Sequence, residues 1–133
     1  MNVLDYNGTG GFNHRQTVSL VPACTDKSNS IGADIQILPD GGYVYASVRG
    51  LDTLSVLKVE SDGSLSLKET FPSRGKTPRN FAVTPDGKYL LAANQDTDNL
   101  VVFAINPISG GLSEVFEVCI PTPVCVKTYF VVF

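Results

Sequence analysis

What the 133-residue sequence lacks narrows its class first. Its uninterrupted apolar runs are only a handful of residues long, whereas a helix that crosses a bilayer needs about 20. No positively charged start leads into an apolar stretch, so a secretory leader is not expected. There is no basic excess: 10 Lys and Arg against 13 Asp and Glu leave a net charge of −3, which argues against capture of nucleic acid by a basic surface. Histidine occurs once, at His14, and the three cysteines, Cys24, Cys119 and Cys125, show no CxxC spacing. These are too few for a four-ligand zinc site or a disulfide framework. Cys119 and Cys125 bracket Pro121 and Pro123 and could bridge in an oxidising compartment, but the reading adopted is three small buried hydrophobes in a reducing cytoplasm. No metal, cofactor, membrane or nucleic-acid partner is expected.

What is present is a globular composition, 43% hydrophobic and 17% charged, in a length that suits one small domain. The chain also repeats itself. A shift of 46 residues lays Pro39-Asp40-Gly41 on Pro85-Asp86-Gly87, Tyr43 on Tyr89, Ala46 on Ala92, Asp52 on Asp98, Leu54 on Leu100 and Val56 on Val102. Upstream, Ile35 and Ile37 meet Phe81 and Val83. Each copy reads as four short strands rich in Val, Leu, Tyr and Phe, broken by turn clusters such as PDG, NQDTDN and SGG. No window sustains a 3.6-residue apolar period, so little helix is expected.

A four-stranded antiparallel unit repeating at this interval is the mark of a β-propeller blade, so the expected fold is all-β. Residues 1–30 read as the end of one blade and a linker, because Asn7 to Phe12 resembles Asn106 to Leu112. Residues 31–73 and 77–120 read as full blades, and 121–133 as the first, innermost strand of a further blade. Propellers close with about four to eight blades. The chain is therefore expected either to be the carboxy-terminal part of a longer protein or to assemble with copies of itself.

Strand direction gathers the interesting side chains. Arg79 lies at the start of an innermost strand and Gln95 just after the second strand of the same blade, so antiparallel pairing puts both at one end of the sheet. The repeat places Arg49 where Gln95 stands in the next blade, and the PDG turns fall at the opposite end. Arg49, Arg79 and Gln95 are thus expected on one face, near the axis of the ring. Asp34 also starts an innermost strand at that end, in the position of Asn80. His14 reads as a surface residue of an outer strand. Asp40 and Asp86 read as turn formers.

The segments ADIQILPDGGYVYASVRG (Ala33 to Gly50), TPRNFAVTPDGKYLLAANQDTDNLVVF (Thr77 to Phe103) and PTPVC (Pro121 to Cys125) resemble the carboxy-terminal blades of the seven-bladed β-propeller lactonase family. That family includes propeller-type 6-phosphogluconolactonase and a carboxymuconate cyclase branch. The resemblance covers Ala33 to Val126, only part of a full member. It implies a piece of a cytoplasmic sugar-lactone hydrolase of carbohydrate metabolism, with a small anionic sugar lactone as its substrate. Arg49 and Arg79 would hold phosphate and polarise the lactone carbonyl, and Asp34 would act as base or as partner to an arginine. Gln95 and Asn80 would bind substrate. Two departures stand out: Gln36 occupies a position where the family frequently has histidine, and Val48 one where it commonly has Asn or Asp. The alternatives are a non-catalytic segment for ligand binding or assembly, and a cyclase-like enzyme, for which two arginines on one rim fit a tricarboxylate-like substrate equally well. The bland alternative for the arginines is pairing with Asp52, Asp96 or Asp98 at strand ends.

Overall fold

Ten strands and three antiparallel sheets make up residues 1–131, the part of the chain described by the computed structural model. The first sheet is a hairpin of β1 (Asn2–Tyr6) and β2 (Phe12–Thr17). The second runs in spatial order through β3 (Ile31–Ile37), β4 (Tyr43–Arg49), β5 (Thr53–Val59) and β6 (Leu65–Pro72). The third does the same with β7 (Pro78–Val83), β8 (Tyr89–Asn94), β9 (Asn99–Ile105) and β10 (Leu112–Cys119). Among the described residues the only helical piece is one 3₁₀ turn, Gln95–Thr97, and no helix is long and apolar enough to cross a membrane.

Two-residue alternation explains why the sheets stack. Along β4, Tyr43 and Tyr45 enter one cluster with Leu54, Val56, Phe81, Leu90, Val101 and Phe103, between the two four-stranded sheets. Val44 and Ala46 point the other way, into a cluster with Leu57, Val18, Leu20, Met1 and Val3 against the first hairpin. The hairpin is held there by a reciprocal amide contact, Gln16 with the backbone N–H and carbonyl of Leu65. The outer faces differ. Tyr89, Phe116 and Val118 stay exposed on the far side of the third sheet, and Ile35 and Ile37 stay exposed on β3.

The repeat extends to the loops. Asp52 takes a left-handed φ of 53°, its carbonyl accepts from the Ser73 N–H at 2.9 Å, and its carboxylate accepts from the Thr77 N–H at 2.8 Å. Asp98, with φ 52°, does the same for the Ile120 N–H at 2.9 Å and the Thr122 N–H at 2.8 Å. Thr77 and Thr122 both hold positive φ, 57° and 45°, which a β-branched residue rarely adopts. Each precedes a buried proline, Pro78 or Pro123, that fixes the entry into the next inner position.

Two expectations need correction. Residues 121–131 form no strand, although they lie beside β7, and residues 132 and 133 fall outside the described residues. β7 is an edge strand, and the segment lies along it without a backbone ladder, held by the Val126 N–H on Asn80 Oδ1 and the Thr128 hydroxyl on the Val83 carbonyl. An inner strand pairs with the second strand of its own blade, and no such strand follows among the described residues. The cysteines are free and exposed, not buried: Cys24 lies in the loop before β3, Cys119 ends the outer strand β10, and Cys125 sits in the final segment.

Tyr45 offers a check on the core. It is fully buried and its hydroxyl donates to the Gly110 carbonyl at 2.8 Å, and burial pushes its phenol well above the usual tyrosine range. The native state therefore keeps Tyr45 neutral where an unfolded chain would ionise it. This contribution to stability is full below about pH 10 and is lost as pH climbs beyond that. Absorbance at 295 nm during alkaline titration should show one of the five tyrosines ionising only as the chain unfolds. Tyr45→Phe should remove that delayed step and lower stability by about 1 kcal/mol.

Candidate functional site

β3 and β7 are the edge strands on the side where the two large sheets converge, and β7 packs against β3 and β4. Both carry a bulge at the same end. On β4, the partner of β3 changes from Val48 (for Gly32) to Ala46 (for Ile35), so Ala33 and Asp34 share the space of one residue. The Asp34 N–H, freed by the bulge, donates to the Ser47 hydroxyl at 3.1 Å. On β8, the register passes from Pro78 against Asn94 to Asn80 against Ala93, and Arg79 is left without a ladder partner. A bulge of this kind re-aims a side chain.

The re-aimed Arg79 meets Arg49 from the end of β4. Together with Gly32 and Ala33 they line a pocket of about 200 Å³. Arg79 is exposed, and its Nη1 donates to Gln95 Oε1 at 3.1 Å. Gln95 is set by the 3₁₀ turn, where its backbone N–H donates to the Thr77 carbonyl at 3.1 Å. Arg49 is half-buried; its Nε is buried and has no hydrogen-bond partner among the described residues.

No carboxylate neutralises either arginine among the described residues, whose ion pairs are Arg15–Asp5, Lys58–Glu60, Arg74–Glu114 and Lys88–Asp86. Asp52, Asp96 and Asp98, the acids close by in sequence, accept instead from the Thr77 N–H, the Thr77 hydroxyl and the Thr122 N–H. Guanidinium groups without an ion-pair partner have the geometry to bond planar or tetrahedral oxyanions. Gly32 and Ala33 are lining residues that sequence reasoning missed. The 46-residue shift contained the signal, since Ala33 is the counterpart of Arg79 and its small side chain leaves the room.

The other nominated residues lie deeper. Asp34 is half-buried, and its Oδ2 accepts from Asn80 Nδ2 at 2.6 Å and from the Phe81 N–H at 3.2 Å, while Oδ1 accepts from the Ile35 N–H at 2.8 Å. Neither arginine bonds it. Asn80 is held between Asp34 and the Val126 N–H, which donates to Asn80 Oδ1 at 2.7 Å. Val48 is buried, and Gln36 stands across from Tyr45 in the β3–β4 ladder. His14 is exposed on β2, with Nε2 2.9 Å from the Thr17 hydroxyl.

A larger hollow of about 550 Å³ lies between the blades at the end of the PDG turns, with Leu38, Pro39, Tyr89 and Ile105 in its wall. Its acids serve the turns, Asp40 accepting from the Gly42 N–H and Asp86 from the Thr84 hydroxyl and the Lys88 N–H. Its lysine, Lys88, is paired with Asp86 at 3.6 Å. The smaller pocket gathers the free charge, and it is the candidate site.

Stacked four-stranded antiparallel sheets whose inner strands lie side by side define part of a β-propeller. The chain belongs to the lactonase family of seven-bladed β-propellers, whose profile, described as "Lactonase, 7-bladed beta-propeller", matches residues 1–128. It is 39% identical over 128 residues to a 6-phosphogluconolactonase of Bacillus subtilis, covering 93% of this chain and 36% of that protein. A crystal structure of a protein from Lactobacillus plantarum superposes with a TM-score of 0.88 at 34% identity, over 93% of this chain and 37% of that one. The Pseudomonas aeruginosa periplasmic gluconolactonase does so with a TM-score of 0.88 at 30% identity, over 95% of this chain and 35% of that one. The chain thus spans about a third of the length of these relatives.

Gly50 tests how tightly the mouth is built. It follows Arg49 with φ +84°, and a Cβ there would run into the Asn29 carbonyl oxygen. Gly50→Ala should cost about 1–3 kcal/mol, read as a lower urea midpoint, because both the backbone conformation and the contact oppose the added methyl.

Proposed function

We propose that this chain supplies the two-arginine mouth of a propeller lactonase, binding a small anionic sugar lactone in the class of 6-phosphogluconolactone. The single observation that carries this reading is the pocket shared by Arg49 and Arg79, which no carboxylate neutralises among the described residues. One guanidinium holds the phosphate of the substrate and the other polarises the lactone carbonyl. When water adds to the carbonyl carbon, negative charge develops on that oxygen, and a fixed cation stabilises it. The ring C–O bond then breaks, the ring oxygen takes a proton as a hydroxyl, and the carboxylic acid formed releases one. Gln95, already bonded to Arg79, orients a sugar hydroxyl or the attacking water. The names of two relatives, the 6-phosphogluconolactonase of Bacillus subtilis and the gluconolactonase of Pseudomonas aeruginosa, support a sugar lactone as the substrate class.

Three free, exposed cysteines support a reducing, cytoplasmic setting. The exposed Tyr89, Phe116 and Val118 on one side, and Ile35 and Ile37 on the other, are read as seats for adjoining blades, from a longer chain or from a second copy. A second reading, a substrate-holding segment without catalysis of its own, is favoured by Asp34, whose carboxylate already accepts three hydrogen bonds. The proton acceptor for water would then come from blades outside this chain.

Calorimetry with 6-phosphogluconate, the hydrolysis product, tests the receptor without requiring turnover. Arg49→Ala and Arg79→Ala should each weaken binding about ten- to a hundredfold, as expected for loss of a charged hydrogen bond worth about 1.5–3 kcal/mol. Unchanged affinity in both variants would remove the mouth from consideration. Acid release from 6-phosphogluconolactone, followed in a pH-stat, separates the two readings: a rate above spontaneous opening favours the enzyme, and binding without acceleration favours the holding segment.

A further inference from the structure

Asp34, Asn80 and Val126 are linked by side-chain hydrogen bonds at steps of 46 residues. Asn80 Nδ2 donates to Asp34 Oδ2 at 2.6 Å, and Asn80 Oδ1 accepts from the Val126 N–H at 2.7 Å. These links join the second sheet, the third sheet and the segment that follows, which share no backbone ladder. We propose that the chain Asp34–Asn80–Val126 is a positioning relay that sets the place of Arg79 in the mouth. The proposal rests on the reading of Arg79 as a binder of the anionic substrate.

The bulge is what makes such a device necessary. Arg79 has no ladder partner, so its backbone is placed by its neighbours alone. Pro78 on one side is buried and has its φ fixed by its ring. Asn80 on the other side is pinned through both ends of its amide, one a donor and one an acceptor. Only an amide fits between a carboxylate that must receive a hydrogen and a backbone N–H that must give one. A carboxylate at position 80 would repel Asp34, and an apolar side chain would strand both partners. Val126 and Thr128, whose hydroxyl donates to the Val83 carbonyl at 2.9 Å, seat the final segment along β7 at both ends of this contact. The seating of residues 124–128 is thereby coupled to the orientation of a mouth arginine. Asp34 and Asn80 are positioning residues, acting through Arg79 and not by touching the substrate.

A double-mutant cycle on the whole chain tests this, read as affinity for 6-phosphogluconate. Asn80→Ala should weaken binding about tenfold when Arg79 is present and should add no loss when Arg79→Ala is already in place. The exchange Asp34→Asn with Asn80→Asp should recover part of the affinity that Asn80→Ala loses, because the amide at position 34 donates to the carboxylate at position 80, which still accepts from Val126, while the Phe81 N–H loses its acceptor. Equal loss from Asn80→Ala in both backgrounds overturns the relay, since Asn80 would then act on the ligand directly or through the fold. So does no loss from Asn80→Ala where Arg79→Ala weakens binding, a result that leaves the mouth itself standing. No loss from Arg79→Ala would instead remove the mouth and the relay together. Should Asn80→Ala fail to fold, Asp34→Asn serves, read without ligand as the Arg79 Nε–Hε NMR signal. That signal should move while the Arg49 signal stays, and an unmoved Arg79 signal overturns the relay.

Discussion

A sheet that is apolar on both faces cannot stand alone in water, and this constraint orders everything else in the molecule. β4 sends Tyr43 and Tyr45 to one side and Val44 and Ala46 to the other, so its sheet must be sandwiched. Flat stacking would satisfy the burial but would spread the strands evenly. Right-handed strand twist instead fans successive sheets about an axis, and the first strand of each sheet becomes the inner one. β3 and β7 occupy that place, and whatever side chains they and the ends of their partner strands carry are brought together there.

Getting from an outer strand back to an inner one is the difficult step, because the chain must cross the whole sheet. The two crossings seen here use the same parts: an aspartate in a left-handed turn, a threonine with positive φ, and a buried proline. A strained threonine persists only where its surroundings hold it, and Asp52 and Asp98 do so through one carbonyl and one carboxylate each. These acids stand close in sequence to the mouth arginines and would be their obvious partners. Because these carboxylates bond the crossings, neither forms an ion pair with Arg49 or Arg79 among the described residues. The architecture of the loops and the electrostatics of the mouth are therefore one arrangement.

The sheets and turns were legible in the sequence because they depend on local rules, namely alternation, turn residues and a repeat offset. The approach of Arg49 to Arg79 was legible for a related reason, since strand direction alone decides which ends meet. The hydrogen-bond partners of Asp34 and Asn80 were not. An aspartate at the start of an inner strand looks like a free carboxylate until the neighbouring sheet is in place, and its partner comes from 46 residues away. Burial of the cysteines was misjudged because their type favours the interior while their places, a loop, a strand end and a terminal segment, do not. The final segment has the composition of a strand, yet pairing is a property of two segments, and no second strand of a further blade stands beside it among the described residues.

Adjacent residues divide the labour at the inner strands. The bulges of β3 and β7 carry Ala33 and Arg79, and Cys125 takes the matching place 46 residues on; the next positions, Asp34, Asn80 and Val126, are linked by hydrogen bonds. A similar contrast separates Arg49, which lines the pocket, and Gln95, which accepts from Arg79, from Ser47, whose hydroxyl supports the bulge of Asp34. Chemistry at the mouth can thus change from blade to blade without disturbing the contacts that hold the blades in register. The bulge permits this separation, because it frees one residue from the ladder while its neighbour remains tied. The pocket accordingly takes its charge from only two positions, Arg49 and Arg79, while the small Gly32 and Ala33 leave it open.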